Sequence, residues 1–343
     1  MKSSKRILFF AKFGLVMMFL VIIAGSVVRM SGSGMGCPDW PKCFGYYIPP
    51  TDSIPLMYDE GRTFQKGQMV IINDTLWVAQ HDFTASSLFD RKDWDNYKKH
   101  DYAKFNATHT WTEYINRLVG AISGIPTLIL FVLSIGWMIR EKDRKTFWLS
   151  AAILFLLGFE AWLGKEVVDA ALMPVKITVH MFGAIALVAL FLVVISRHSE
   201  GRDHGQNYSG FWKAMSLGLV LMAFTQILLG TQVREAVDVI AEHFADRWNW
   251  VPNLPTIFRI HRSFSIAVVL LLIWVYLRSK GLSYFSTALK GVFGVALVEI
   301  LVGVVLAYAG MPKAAQPIHL FLGILWFAFV WAFLLEVWRK ATS

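Results

Sequence analysis

Three histidines stand in stretches that are otherwise apolar: His180 in "VKITVH", His261 in "IFRIHRSF" and His319 in "PIHLFLG". A polar ring inside such a run is costly and usually functional. One histidine alone has a plain role open to it, a hydrogen bond to a neighbouring helix. Three at related positions point to ligation instead. His261 and His319 lie on different apolar segments, so their imidazoles can approach one haem iron from two sides, and imidazole is a common axial ligand of haem. No cluster of cysteines or carboxylates accompanies the pair in sequence, which disfavours zinc.

The stretch around His261 has a partner. Aligning "WTEYINRLVG" (111–120) with "IFRIHRSF" (257–264) sets Asn116 against His261 and Arg117 against Arg262. Glu113 lies one turn before Asn116 on the same helix face, and His109 one turn further back. Phe258 occupies the position equivalent to Glu113. The carboxylate is therefore either a group at the membrane boundary or one with a role peculiar to the first copy. Arg117 and Arg262 either snorkel to lipid headgroups or pair with carboxylates such as haem propionates.

The elements that hold these residues are membrane helices. The 343 residues are 56% hydrophobic. Apolar runs of about 18 or more residues read as transmembrane. Eight occur, at roughly 7–28, 113–139, 146–164, 177–196, 212–232, 259–277, 288–309 and 317–338. The first has no small-residue cleavage site after its apolar core and reads as a retained helix. The net charge of +9 is that of topology-setting lysines and arginines rather than of a nucleic-acid binder. Lys5 and Arg6, the run "REKDRK", Arg197, Arg202, Lys213, Arg278, Lys280, Lys290, Arg339 and Lys340 all fall on one side of eight spans. That side, with both termini, is expected to be the cytoplasm of a bacterial cell, the chain lying in the inner membrane. Segment 30–110 and a medium loop near 233–257 fall on the other side. Cys37 and Cys43 lie there too, where a disulfide persists.

The halves repeat. "FEAWLGKEVVDAALMPVKITVH" (159–180) resembles "VEILVGVVLAYAGMPKAAQPIH" (298–319), matching Glu160 with Glu299 and Gly164 with Gly303. "GSVVR" (25–29) matches "GTQVR" (230–234). The expected fold is an all-α polytopic membrane protein, with eight transmembrane helices as two pseudo-repeated four-helix bundles. The N-terminal unit takes 1–29 and 110–197, an extracytoplasmic insert takes 30–109, and the C-terminal unit takes 198–343. A four-helix unit with inward-facing ligands is a natural container for a planar cofactor. In "GSGMGCPDWPKCFG" (32–45) the cysteines form either a structural disulfide or an exposed redox pair, since exposed pairs are the labile ones. Residues 46–108 read as a small folded outer insert.

"VVRMSGSGMGCPDWPKCFG", "TEYINRLVG", "LLGTQVRE", "FRIHRSF" and "PIHLFLG" together resemble the haem A synthase family, over roughly 7–45 and 110–338. The Cys-Pro-Asp-Trp-Pro-x-Cys loop is the most specific piece, and the insert at 46–108 is placed outside the resemblance. The resemblance implies a membrane oxidase that converts the C8 methyl of haem O to a formyl group, giving haem A for terminal oxidases. It implies a b-type haem held by His261 and His319, and substrate haem O received in the first unit at His180. It also implies roles for Glu113 and the pair Cys37 and Cys43. The family's other substrate-side histidine falls on Asn116, a departure that leaves the substrate iron with His180 alone, or with His109 or water. The implied partners are the synthase that supplies haem O, membrane lipid and an electron donor that the residues do not identify; a homo-oligomer is compatible. Two rival classes are a dihaem b-type electron-transfer protein and a haem chaperone or transporter.

Overall fold

A computed structural model describes residues 2–98, 105–170, 172–199, 208–282 and 284–339. Arg202 and Lys340 lie outside the described residues. The helices are α1 (Lys2–Ser31), α2 (Ala107–Glu141), α3 (Arg144–Asp169), α4 (Pro174–His198), α5 (Gly210–His243), the short α6 (Trp250–Asn253), α7 (Thr256–Ser279), α8 (Thr287–Tyr308) and α9 (Ala315–Val337). Among the described residues, all but α6 are long and apolar enough to cross a membrane, which makes eight spans. Their outer faces carry bare hydrocarbon: Phe9, Val132, Phe155, Leu221, Leu270 and Leu297 are each more than half exposed. Water would not tolerate apolar belts of that extent. The chain is a multi-pass, all-α membrane protein.

Two boundaries differ from the sequence expectation. The loop expected at 233–257 is largely helical, because α5 continues to His243. Arg234, Glu235, Ala236, Ala241 and Glu242 in this stretch are good helix formers, and Arg234 pairs with Asp238 one turn on, at 2.6 Å. Val237 on this extension packs with Trp250 and Met311 in a small core of its own. α2 also begins six residues earlier than the apolar run, at Ala107, which places His109 on the same helix as Glu113, as its spacing implied.

The described chain forms two compact units. The first comprises Met1–Ser26, Ser123–Leu157 and Met181–Ser343. Its core joins residues of both repeats, including Leu130, Phe191, Leu219, Val292 and Phe333. The indole N–H of Trp331 donates to the Ala189 carbonyl at 3.2 Å, and that of Trp326 to the Val292 carbonyl at 3.1 Å. Phe182 stacks on Phe224 with ring centres 4.8 Å apart. At one end, Asp143 closes the α2–α3 turn. It accepts from the Thr146 hydroxyl at 2.7 Å and from Arg197 at 3.1 Å. Thr146 also meets His198 at 3.0 Å, and the other ring nitrogen of His198 meets Ser4 at 3.1 Å. This chain of contacts ties α1, α3 and α4 to the turn.

The second unit comprises Val27–Ile122 and Gly158–His180. It contains the insert, which is a small β structure. β1 (Thr63–Phe64) pairs with β4 (Phe83–Thr84), and β2 (Met69–Ile72), β3 (Thr75–Ala79) and β5 (Trp94–Asn96) form an antiparallel sheet in the order β2-β3-β5. Asn73 and Asp74 join β2 to β3 with φ of 49° and 55°, the left-handed pair that a tight hairpin requires. One face of the insert buries Phe64, Val70, Ala79 and Trp94. The other buries Leu56, Met69 and Leu76 against Phe44 of the cysteine loop.

Burial alone would push the Asp143 carboxyl up, but the hydrogen bonds from Thr146 and Arg197 outweigh it and hold the carboxyl at about 2. A carboxyl held below its ordinary value contributes stability above the ordinary carboxylate range and loses it as pH falls towards 2. Asp143→Asn is expected to cost about 1 kcal/mol at neutral pH. Thermal unfolding in detergent at pH 7 and at pH 3 checks this; the gap between parent and variant should narrow at the lower pH.

Candidate functional site

Glu113 and Arg117 sit one turn apart on α2, and the cysteine loop lies across them. Cys37 and Cys43 are joined by a disulfide, with their Cα atoms 4.9 Å apart. Glu113 is buried. One of its oxygens accepts from the Cys37 N–H at 2.9 Å, and the other pairs with Arg117. Arg117 turns its fork onto the loop backbone. It donates to the carbonyls of Asp39 at 2.6 Å, Lys42 at 3.0 Å and Cys37 at 3.4 Å. The Thr110 hydroxyl donates to the Gly36 carbonyl at 2.8 Å. A Cβ at Gly36 would collide with the backbone of His109, so glycine lets the loop reach the helix. Inside the loop, Asp39 accepts from Phe44 N–H at 2.5 Å and Gly45 N–H at 2.9 Å. Burial pushes the Asp39 pKa up, against those two bonds and the Arg117 charge. His109 and Asn116 are half-buried, and among the described residues neither side chain has a hydrogen-bond partner.

His261 on α7 and His319 on α9 face each other in the first unit, with ring centres 6.4 Å apart and planes at 87°. Glycines form the floors beneath them. A Cβ at Gly230 would lie 3.4 Å from Cε1 of His261, and one at Gly303 would lie 3.3 Å from Cε1 of His319. Glu299 reaches Nδ1 of His319 at 3.0 Å. Gln226, one turn before Gly230 on α5, donates to the His261 carbonyl at 3.4 Å. In the second unit the same pattern recurs around His180. Glu160 reaches its Nδ1 at 2.6 Å, and a Cβ at Gly164 would lie 3.7 Å from its Cε1.

The polar atoms of these clusters are poorly satisfied. Both glutamates meet their histidines obliquely rather than in straight hydrogen bonds. Most of the buried side-chain nitrogens and oxygens without a partner among the described residues belong to the three histidines and to Glu160, Glu299 and Gln226. Buried polar groups are almost always paired in a finished structure. Orphans gathered at three histidines are what a site built for a further molecule presents. The pair fits a haem. An atom held between two imidazole nitrogens at about 2 Å each separates the ring centres by about 6 Å, close to the spacing observed. Among the described residues no group of three or more His, Cys, Asp or Glu is placed to hold a bare metal ion. Two imidazoles suffice only for a metal that brings its own equatorial ligands, as a porphyrin does.

Sequence reasoning named His180, His261 and His319, and the structure gives each a glycine floor. It paired Arg117 and Arg262, but their surroundings differ. Arg262 is exposed and lies over the Phe258 ring at 5.8 Å, whereas Arg117 is spent on the loop. It gave little weight to Glu160 and Glu299, and missed Gln226, whose polarity inside an apolar segment was the signal to follow. It also missed a set of charges found only in the first copy. Lys165 meets Asp169 at 2.6 Å and Glu166 at 3.4 Å, and Lys176 meets Glu166 at 3.2 Å. Val304, Val305 and Tyr308 stand where Lys165, Glu166 and Asp169 have their counterparts.

Comparison with known proteins bears on these residues. The model of the family described as Cytochrome oxidase assembly protein matches residues 8–83 and 87–331. The match runs through the insert, which corrects the expectation that 46–108 lies outside the resemblance. The "Heme A synthase" of Shewanella oneidensis is 27% identical over 243 residues, 70% of this chain and 61% of that protein. The chain thus spans less than two thirds of that relative. The "Heme A synthase" of Flavobacterium johnsoniae is 21% identical over 349 residues, 93% of this chain and 94% of that protein. That of Paracoccus denitrificans is 23% identical over 334 residues, 88% and 78%.

Arg117→Ala would leave Glu113 buried without its partner and three loop carbonyls without a donor. Removing one member of a buried ion pair costs about 3–5 kcal/mol. The loop should then detach locally. Hydrogen exchange read by mass spectrometry should show faster exchange at the amides of Cys37, Phe44 and Gly45. Arg117→Lys should rescue this only in part, because an ammonium lacks the planar fork.

Proposed function

This chain belongs to the cytochrome oxidase assembly protein family, and from that membership and the site geometry we propose that it is a haem A synthase, an oxidoreductase of the membrane that converts the C8 methyl of haem O to the formyl of haem A. The observation that carries the reading is the pair His261 and His319, two facing imidazoles on glycine floors with unsatisfied buried atoms around them. The recurrence of the motif at His180, with Glu160 and Gly164, supports a second haem position.

In this reading 198–343 is the cofactor unit, 1–29 with 110–197 is the substrate unit, and 30–109 is an extracytoplasmic insert. The termini lie in the cytoplasm and the membrane is the bacterial inner membrane. His261 and His319 are the residues that would hold a b-type haem. When bound, that haem supplies one-electron transfer. Arg262, exposed beside Phe258, is free to meet a propionate. Arg117 acts differently, fixing the cysteine loop beside the substrate unit together with Glu113.

His180 would bind haem O through its iron. Asn116 in place of a second imidazole gives a weaker hold, as suits a molecule that must leave after reaction, with His109 or water open to the sixth position. Glu113 is the group proposed to move a proton as the methyl is oxidised. Both its oxygens already accept bonds, so proton uptake there goes with release of the Cys37 N–H or of Arg117. The disulfide holds the short loop that supplies those partners. The proposed partners are the synthase that delivers haem O, the lipid bilayer, an electron donor and a second copy of the chain.

His261→Ala and His319→Ala are each expected to abolish the low-spin bands of the purified protein and haem A formation with them. His180→Ala should keep the bands and lose the product. Asn116→His should give a second low-spin signal when haem O is added, and His109→Ala should weaken haem O binding. Spectra and haem extracts from one expression host check these outcomes. Haem O retained unchanged by a folded parent supplied with an electron donor and dioxygen, which is the oxidant and oxygen source the methyl-to-formyl step needs, would favour a carrier or electron-transfer protein instead.

A further inference from the structure

We propose that Glu299 and Glu160 are positioning residues that orient His319 and His180 through Nδ1 and raise their donor strength, while His261 has no such partner. This rests on the haem A synthase reading and adds to it that the two axial ligands of the b-type haem are unequal.

The two glutamates occupy the same position in the repeat, one turn before the glycine that floors their histidine. Each approaches the same ring nitrogen, at 2.6 Å for Glu160 and His180 and at 3.0 Å for Glu299 and His319. Their side chains are only 7% and 19% exposed. A carboxylate inside an apolar helix is expensive unless it has a partner or a function. No lysine or arginine within ion-pair distance of either is found among the described residues, so neither glutamate completes a structural salt bridge. Among the described residues the histidine is the only charged or titratable group within ion-pair distance of each one. Gly323, one turn beyond His319, makes room: a Cβ there would lie 3.3 Å from the Glu299 carboxylate. A carboxylate at Nδ1 fixes the N–H on that atom and leaves Nε2 as the ligating nitrogen, and it makes the imidazole a stronger donor. At His261, among the described residues, no carboxylate lies within ion-pair distance of the buried Nδ1, whereas one does at His180 and at His319. Gln226 reaches only the backbone carbonyl of His261.

The physical consequence is a bias in oxidation state. A ring held by a carboxylate donates more strongly to ferric than to ferrous iron. Glutamine keeps the shape and an oxygen acceptor but removes the charge. Alanine removes the orientation as well.

The test uses the full-length protein with its bound haem, in detergent, as parent, E299Q and E299A. Haem content, absorbance and the midpoint potential from a redox titration are read on each. E299Q should keep a low-spin haem with a midpoint potential more positive than the parent. E299A should lose haem affinity by about 10-fold or more with the helices intact by circular dichroism. Haem O titrated into parent and E160Q should bind more weakly to the variant. A folded E299Q with the parent's potential would mean that Glu299 merely fills space, and would overturn this inference alone. Should E299A not fold, E299Q still decides the matter. A parent that binds no haem overturns both this inference and the function on which it rests.

Discussion

Hydrocarbon offers no hydrogen bonds. Any polar group carried into the spans must find a partner inside the protein or be reserved for a ligand. That constraint orders the whole molecule. It makes all eight spans helical, turns their apolar side chains outward and gives the indoles of Trp326 and Trp331 a carbonyl each to meet. It also makes exceptions readable. Unsatisfied atoms at His180, His261 and His319 would mean little on a wet surface. Inside a membrane helix they mark places kept open.

The repeated Glu–Gly–His pattern of the sequence presents two such places, and their surroundings differ. The second copy has imidazoles from α7 and α9 and apolar neighbours at Val304 and Val305. The first has Asn116 at the position equivalent to His261, ionic contacts among Lys165, Glu166, Asp169 and Lys176, and a disulfide loop that has no counterpart in the second. A tight, closed ligand pair suits a resident cofactor. A weaker ligand set amid polar groups suits a molecule in transit.

Much of this was legible in the sequence because the contrast is strong. A histidine in an apolar run stands out, and the matched Glu–Gly–His intervals at Glu160 and Glu299 identify the repeat before any coordinates. The role of Arg117 was not legible. Its acceptors are backbone carbonyls 75 to 80 residues away, and a carbonyl leaves no mark on residue type. The extension of α5 was missed because its 11 or so extra residues are charged as well as helical, and hydropathy reports only the apolar part. The five strands of the insert are two to five residues long, too short for an alternating pattern to emerge.

Phe44 belongs to two structures at once. It stands beside Cys43 in the loop clamped by Arg117, and its ring is fully buried with Leu56, Met69 and Leu76 of the insert. The loop therefore cannot swing as an independent flap: lifting it would pull an aromatic ring out of the core of a folded sheet. Close-packed interiors yield as blocks, not continuously. Insert and loop thus behave mechanically as a single rigid plug, and its bearing on the membrane helix is the short patch from Thr110 to Arg117.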